Sequence, residues 1–140
     1  LKAVAYTQVR VLGGDTLKTT GMSAAAGIIE GIFATSPVLD AKEFLAGQAF
    51  LDKYQKAFNI APAYGGHYTY DGMYMLASAM QLAESVKPKD ITAALRRVDS
   101  YAPVTQYMKW EKNGEQRYAA VGVYALQRGH WELRIRSDRW

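Results

Sequence analysis

The order of hydrophobic patterns at the start of the 140-residue chain is the feature that most restricts its fold. Residues 9–12 form a β-branched run that stops at the loop-forming residues 13–16, which is typical of a strand leading into a loop. Residues 23–29 are small and apolar, and they predict a short helix with Ser23 as its N-cap. A second strand is expected over residues 31–35. A strand, a helix and a strand in this order predict a parallel layer of an α/β fold.

Three helices are expected in the middle of the chain. Asp40 and Glu43 have the spacing of a capping box, with Asp in the usual Ser/Thr position, and they predict a helix over residues 40–58. A second helix is predicted over residues 68–85. Pro88 predicts the start of a third helix, because proline is favoured in the first turn. The inner face of the second helix is expected to consist of Met73, Leu76, Ala77 and Met80.

The pattern changes to an alternation of period two after residue 100. Residues 106–112 and 118–126 flank Asn113-Gly114, a dipeptide typical of tight hairpin turns, and predict an antiparallel pair. Arg128-Gly129 predicts another turn, and residues 131–135 a last strand. The predicted fold class is therefore α/β, in the order β-α-β, three helices and an antiparallel β-meander.

The composition excludes several classes of protein. The chain has no cysteine, which excludes a disulfide scaffold and any thiolate metal site. No apolar run approaches the ~18–20 residues that a membrane span needs. The net charge is +4, and the arginines near the C-terminus lie among Trp131 and Trp140. We interpret these arginines as part of a solvated strand face and expect no nucleic-acid partner.

The residues that carry chemistry do not form a catalytic or metal-binding pattern. His67 and His130 are far apart in the sequence, and neither stands in a metal-binding spacing. A Gly-x-Ser-x-Gly motif is missing, and the turn at residues 13–15 lacks the phosphate-binding signatures. Asp71 lies near the start of a predicted helix and is interpreted as an acid favoured by the helix dipole. We predict a protein that is not an enzyme and has neither a metal site nor a cofactor.

Asp15 is the best candidate for a binding residue. It follows a strand and two glycines, at the carboxyl end where open α/β sheets place their ligand crevices. A carboxylate at this position could hold a ligand ammonium group. The alternative is an Asx-turn in which Asp15 bonds nearby backbone, and the residues alone favour that alternative. They likewise favour a surface or structural role for His67 and a packing role for Tyr64.

An ordered set of segments over nearly the whole chain resembles the periplasmic leucine/isoleucine/valine-binding proteins. No single segment is specific, but their order along the chain is. The segments are VLGGDTL at 11–17, AG at 26–27, EGIFATSP at 30–37, FLDKY at 50–54 with Pro62, YDGM at 70–73, WEKNG at 110–114, and VYAL at 123–126 before GHW at 129–131.

This resemblance implies a two-lobe, type I periplasmic-binding fold, of which the chain looks like the C-terminal portion. Residues 1–37 would belong to the second lobe, residues 38–102 would complete the first, and residues 103–140 would return to the second. The implied function is that of the solute-binding component of an ABC importer for branched-chain or related amino acids. Such a protein is periplasmic, binds its ligand between two lobes without catalysis, and docks on an ABC permease.

The resemblance also assigns expected roles to single residues. Asp15 looks like the acidic residue that binds the α-ammonium group of the ligand in this family, which reverses the preference for an Asx-turn. Tyr64 and His67 lie in a segment that corresponds loosely to the one presenting an aromatic side chain to the ligand. Residues 104–107 depart from the family, which commonly has a Gly-x-x-Gly turn there before the hairpin.

Two other functions fit the same residues. One is an α/β interaction or oligomerisation module without a ligand, and the other is an amino-acid or amide sensor of the same fold. Incomplete sheets expose strand edges and apolar helix faces, so we expect a homo-oligomer or a domain-swapped dimer of these 140 residues. The identity of the ligand does not follow from this sequence.

Overall fold

A computed structural model of the protein describes residues 9–25 and 31–138. It confirms the predicted α/β class. The strands are β1 (Val11–Gly13), β2 (Ile32–Ser36), β3 (Asp99–Ala102), β4 (Gln106–Lys109), β5 (Gly122–Gln127) and β6 (His130–Arg136), and the helices are α1 (Thr20–Ala25), α2 (Gly47–Phe58), α3 (Gly66–Ala83) and α4 (Pro88–Leu95).

The chain divides into two compact units. Unit 1 comprises Leu1–Leu39 and Ala120–Trp140, and unit 2 comprises Asp40–Ala119. Residues 103–119 therefore group with the segment before them, whereas the sequence prediction returned the chain to the second lobe at residue 103. The assignment of either unit to a lobe of a larger protein stays a prediction.

Unit 1 is built on a four-stranded sheet in the order β1-β2-β5-β6. Strands β1 and β2 are parallel, with Val11 opposite Ile32, so the predicted parallel layer is confirmed. Strand β5 runs antiparallel to β2 and to β6. The turn between β5 and β6 has positive φ at Arg128 (48°) and Gly129 (81°), the conformation of a two-residue type I′ hairpin. The predicted last turn and last strand are therefore confirmed.

The predicted hairpin across Asn113-Gly114 is wrong. Strand β4 pairs with β3, an element that the sequence pattern did not reveal, and a single bridge between Trp110 and Gln116 spans the Asn-Gly turn. Strand β5 pairs instead with β2 and β6. Tyr124, Ala125 and Leu126 are consecutive buried residues, and a strand that is buried on both faces belongs inside a sheet.

Helix α1 begins earlier than predicted, and Ser23 is not its N-cap. The Thr19 hydroxyl oxygen accepts a hydrogen bond from the Met22 N–H at 3.2 Å, so Thr19 holds the capping position. Ser23 lies one turn inside the helix and its hydroxyl donates to the Thr19 carbonyl at 3.2 Å. The predicted extension over residues 26–29 lies outside the described residues.

The single helix predicted over residues 40–58 is wrong as well. Residues 41–43 form one 3₁₀ turn, Phe44 is extended (φ −108°, ψ 148°), and α2 begins only at Gly47. The Asp40 side chain makes no capping hydrogen bond. A Cβ atom on Gly47 would lie 1.6 Å from the Ala41 carbonyl oxygen, so glycine is what allows the 3₁₀ turn to pack on the first turn of α2.

Helix α3 spans residues 66–83, two residues earlier than predicted at each end. Its predicted inner face is partly wrong, because Met73 and Ala77 are exposed while Leu76 and Met80 are half-buried. Helix α4 begins at Pro88 as predicted. The residues of α3 that are buried follow each other at intervals of four, and they are His67, Asp71, Met75 and Ala79.

The buried face of α3 contributes to the cores of unit 2. Met75 packs with Val98, Ala102 and Met108, and Ala79 packs with the buried face of α4. A separate cluster in the same unit consists of Ala41, Phe50 and Val104. In unit 1, the cluster of Ile32 and Leu126 is joined by the half-buried side chains of Leu17, Met22 and Trp131.

Asp71 ties α3 to the turn between β3 and β4. Its carboxylate is fully buried and accepts hydrogen bonds from the Val104 N–H at 2.9 Å, the Thr105 N–H at 2.7 Å and the Thr105 hydroxyl at 2.7 Å. The interpretation of Asp71 as a helix-dipole residue is therefore wrong. The turn continues into Gln106 with a φ of 79°, a left-handed conformation that is uncommon for a residue other than glycine.

None of the helices within the described residues is long and apolar enough to cross a membrane.

Two glycine substitutions should have opposite effects on stability. Gly47→Ala places a methyl group against the Ala41 carbonyl, and relieving this overlap should cost about 1–3 kcal/mol or more. Gly72→Ala is the matched control, because a Cβ atom there meets nothing within 4 Å and alanine in a helix interior stabilises by about 0.5–1 kcal/mol. Urea unfolding followed by circular dichroism measures both. A Gly47→Ala midpoint equal to that of the wild type would contradict the described packing.

Replacement of the buried carboxylate should be costly. Asp71→Asn removes one acceptor oxygen and turns an N–H group toward the backbone donors of residues 104 and 105, so we expect a loss of about 1–3 kcal/mol or more. The matched control is Asp90→Asn, because Asp90 is exposed and accepts one hydrogen bond from the Ser85 hydroxyl. Its effect should stay within about 0.5 kcal/mol. Equal unfolding midpoints for the two variants would show that the Asp71 hydrogen bonds contribute little.

Candidate functional site

Asp15 lies directly after β1 in unit 1, in a 3₁₀ turn over Asp15–Leu17. Its side chain is exposed, and its Oδ1 atom accepts a hydrogen bond from the Thr16 N–H at 2.9 Å. Since an ionised carboxylate has about four acceptor positions, this bond leaves most of its capacity for a ligand. This hydrogen bond is local, as the turn interpretation expects, because it joins Asp15 to the next residue. It is not the bond of an Asx-turn, in which the side chain accepts from the backbone two residues further along the chain.

The turn that carries Asp15 is held by backbone bonds and by Leu17. The Leu17 N–H donates to the Gly14 carbonyl at 3.0 Å, and the Leu17 side chain packs on the cluster of Ile32 and Leu126. A Cβ atom on Gly13 would lie 2.7 Å from a methyl carbon of Leu17. Glycine at position 13 therefore allows Leu17 to fold back over β1, which fixes the Asp15 backbone at the carboxyl end of the strand.

His67 and Tyr64 lie in unit 2, near the start of α3. His67 is buried in the first turn of the helix, and its ring centroid is 4.5 Å from that of Tyr68, 5.7 Å from that of Phe44 and 6.3 Å from that of Phe50. These contacts are those of a structural residue, which is one of the two roles that the residues alone favoured for His67; the other, a surface position, does not fit its burial. Tyr64 is 58% exposed, so it is the more accessible of the two. A ligand-binding role for either residue stays a prediction.

Tyr64 lines a groove of about 750 Å³ in unit 2. The walls come from α2, from α3 and from Pro103 and Val104 of the β3–β4 turn, which Asp71 holds in place. Sequence reasoning missed this groove, because it assigned Met73 to the core. The other lining residues are Ala46, Ala49, Phe50, Lys53, Tyr54, Ala57, Phe58, Ala63, Gly66, Thr69, Tyr70, Met73 and Tyr74.

Hydroxyl groups on α3 give the groove its main polar feature. The Tyr70 hydroxyl donates to the Tyr74 hydroxyl at 3.2 Å. This hydrogen bond, followed by partial burial and the neighbouring charges, raises the pKa of Tyr70 above its ordinary value. Apart from Lys53, the groove is lined by uncharged residues. Its chemistry suits apolar and aromatic surfaces.

Metal ligands do not cluster in the described parts of the chain. Across residues 9–25 and 31–138, no group of three or more His, Asp or Glu side chains is placed to hold a metal ion. Asp15 and His67 belong to different compact units.

Comparisons with known proteins find similar folds and no similar sequences. No family model matches the chain, and no curated protein matches it. A leucine-binding protein from Thermotoga maritima is 18% identical and superposes with a TM-score of 0.78 over 96% of this chain. An ABC transporter substrate-binding protein from Desulfitobacterium hafniense in complex with leucine is also 18% identical, with a TM-score of 0.70 over 95% of this chain.

A solute-binding protein of an ABC transporter from R. palustris, in complex with benzoate, is 20% identical, with a TM-score of 0.69 over 94% of this chain. The chain spans 39% of the T. maritima protein, 37% of the D. hafniense protein and 36% of the R. palustris protein. The TM-scores of these superpositions establish a shared fold, and identities of 18–20% establish the fold alone. The chain therefore has the fold of part of the leucine and branched-chain amino-acid binding proteins of ABC transporters.

Proposed function

We propose that the chain is part of the solute-binding component of an ABC importer that captures branched-chain or related amino acids in the periplasm. The observation that carries this proposal is the match of 96% of the chain to a leucine-binding protein at a TM-score of 0.78. Neighbours in complex with isoleucine and with leucine support the same class of ligand. Unit 1 belongs to the second lobe on this proposal, and unit 2 to the first.

Capture requires no bond chemistry. Two lobes close about a small ligand, and the closed form docks on the permease. Because the chain spans 39% of the T. maritima protein, it supplies part of the polar clamp. The proposal assigns the partner of the ligand carboxylate to the remainder of the two-lobe fold.

Asp15 supplies the group that binds the ligand ammonium. Three features support this role: the carboxylate is exposed, it follows the carboxyl end of β1, and its backbone is fixed by the packing of Leu17. A charge-assisted hydrogen bond in a closed site contributes about 1.5–3 kcal/mol. Tyr64 supplies the aromatic contact, since it is 58% exposed whereas His67 is buried.

The charge of Asp15 also separates two classes of ligand. The R. palustris neighbour holds benzoate, which is a carboxylate without an ammonium group. A carboxylate of the protein that faces such a ligand without an intervening cation would repel it. Asp15 therefore favours amino acids over simple carboxylic acids.

Asp15→Asn should reduce amino-acid affinity roughly ten- to hundred-fold in a protein that carries these residues together with the remainder of both lobes. Asparagine keeps an oxygen that can accept the Thr16 N–H bond, so the melting temperature should move little. Calorimetric titration with leucine, isoleucine and valine measures the affinity.

The control for Asp15→Asn is Asp52→Asn on α2, another exposed carboxylate whose hydrogen bond comes from Gln48. This variant should bind as the wild type does. Unchanged affinity in Asp15→Asn would make Asp15 a turn residue and would remove the proposed ammonium site.

The isolated 140 residues should bind these amino acids only weakly, with dissociation constants above the micromolar range. On this proposal the chain keeps the ammonium partner while the remainder of the fold supplies the partner of the ligand carboxylate, and half of a polar clamp leaves one ligand charge unsatisfied. Titration with leucine, isoleucine, valine and phenylalanine tests this expectation. A micromolar or tighter constant for any of them would show that the pocket has been misplaced.

A further inference from the structure

The Asn113-Gly114 dipeptide forms a tight turn in unit 2 that the proposed function does not use. The Gly114 N–H donates to the Glu111 carbonyl at 2.9 Å, and the Glu111 N–H donates to the Glu115 carbonyl at 2.8 Å. Gly114 has a φ of 91°, as expected for the last residue of a three-residue hairpin loop. Asn113 and Gly114 are both exposed, so water reaches the amide side chain and the main chain beside it.

The Asn113 side chain turns forward along the chain. Its Oδ1 atom accepts a hydrogen bond from the Glu115 N–H at 3.1 Å, which is the bond of an Asx-turn. A side chain that reaches the backbone two residues further on passes beside the nitrogen of the residue between them, which here is Gly114. The side-chain carbon Cγ therefore lies next to a main-chain nitrogen that no side chain of its own residue screens.

The same hydrogen bond activates the amide of Asn113. The Glu115 N–H polarises the side-chain carbonyl. It is also a donor already placed at Oδ1, the oxygen on which negative charge develops when a nucleophile attacks Cγ. The turn thus brings together an electrophile, a nucleophile and a group that stabilises the charge formed between them.

We propose that this turn makes Asn113 the site of spontaneous deamidation in the folded protein. The Gly114 nitrogen loses its proton to hydroxide and forms a bond to Asn113 Cγ. The bond between Cγ and Nδ2 breaks, and the amide nitrogen takes up a proton from water and leaves as ammonia. The product is a five-membered succinimide ring.

Water then opens the succinimide ring at one of two bonds. Cleavage between Cγ and the ring nitrogen gives an aspartyl residue, and cleavage between the main-chain carbonyl carbon and the nitrogen gives an isoaspartyl residue, whose chain runs through Cγ. The sum of the two steps exchanges one water for one ammonia. No oxidant or reductant takes part.

One hydrogen bond opposes the reaction. The Gly114 nitrogen must give up its bond to the Glu111 carbonyl before it attacks. Residues 112–115 are exposed, so this opening removes no buried apolar contact. Hydrogen bonds of this kind open locally at little cost, so the reaction does not require unit 2 to unfold.

The other asparagine of the chain lacks these features. Asn59 is the C-cap of α2 and is also exposed. Its Oδ1 atom accepts from the Gln55 side-chain amide at 3.5 Å, which directs the side chain back toward the helix. The next residue is Ile60, whose stiff β-branched side chain crowds the main-chain nitrogen. Asn59 should therefore react far more slowly than Asn113.

The modification changes the charge and the length of the turn. A new carboxylate lowers the net charge of +4 by one, and it stands between Glu111 and Glu115. An isoaspartyl linkage adds one carbon to the main chain of the loop, which should weaken the bridge between Trp110 and Gln116. This modification goes beyond the proposed function and does not depend on it.

The test incubates the full 140-residue chain under folding conditions at neutral and at mildly alkaline pH. Peptide mass spectrometry measures the exchange of amide for carboxyl at each asparagine, and an isoaspartyl methyltransferase measures isoaspartyl groups. We expect deamidation at residue 113 to be at least ~10-fold faster than at residue 59. The rate should rise with pH, because the Gly114 nitrogen reacts after losing its proton. Equal rates at the two asparagines, or reaction of Asn113 only after unfolding in urea, would overturn the proposal.

Two variants separate the turn from the dipeptide. Asn113→Gln should abolish the acidic product, because the longer side chain would have to form a larger ring. Ile60→Gly gives Asn59 the same following residue as Asn113, and Ile60 is 61% exposed, so the core is not disturbed. Asn59 of this variant should still react several-fold more slowly than Asn113. Equal rates at residues 59 and 113 of this variant would overturn the proposal, because the dipeptide alone would then set the reactivity.

Discussion

The hydrogen bonds of the Asp71 carboxylate hold unit 2 together at the point where helix and hairpin meet. Removing a carboxylate from water is costly unless its oxygens find donors, and here two backbone N–H groups and one hydroxyl supply them. The same bonds fix the turn that places Val104 in the cluster of Ala41 and Phe50 and against the groove. The orientation of α3, and with it the aromatic contacts of His67, follows from this attachment.

In unit 1, the position of Asp15 depends on the close packing of Leu17 against Gly13. The absence of a side chain at Gly13 lets Leu17 fold over the end of β1 and reach the cluster of Ile32 and Leu126. This packing sets the backbone of Asp15 at the edge of the sheet, and the side chain keeps most of its acceptor positions. The candidate ammonium site is therefore a product of local packing that would exist with or without a ligand.

Local signals predicted the parts of the fold that local interactions determine. The β-α-β order, the start of α4 at Pro88 and the β5–β6 turn at Arg128-Gly129 were all legible in the sequence. The failures lie where packing departs from the local pattern. The predicted helix over residues 40–58 is interrupted at the extended Phe44, and the 3₁₀ turn before it packs closely on α2 at Gly47.

The predicted pairing of residues 106–112 with residues 118–126 is wrong for a tertiary reason. The Asn113-Gly114 signal was overridden because β5 is buried inside the sheet of unit 1. The buried role of Asp71 depends on donors more than 30 residues away in the chain, which no local pattern displays. A polar residue four positions from the buried His67 and four from the buried Met75 is the signal that could have revealed it.

The sequence predicted less of the candidate site than of the fold. The position of Asp15 after β1 was predicted and is observed, but its bond to Thr16 is compatible both with a turn residue and with a ligand residue. The exposure of Met73 in the groove was missed, because an apolar helix position is assigned to a core whenever the covering layer is not known.

The most direct test of the account compares leucine with 4-methylpentanoate, which is leucine without its amino group, in a protein that carries both complete lobes. Affinities for both ligands are measured by calorimetry with the wild type and with Asp15→Asn. The four values form a thermodynamic cycle that isolates the interaction between the ligand amino group and the Asp15 carboxylate. The account predicts that the wild type prefers leucine at least ~10-fold and that the preference largely disappears in the variant. An equal preference for leucine in both proteins would show that Asp15 does not bind the ammonium group.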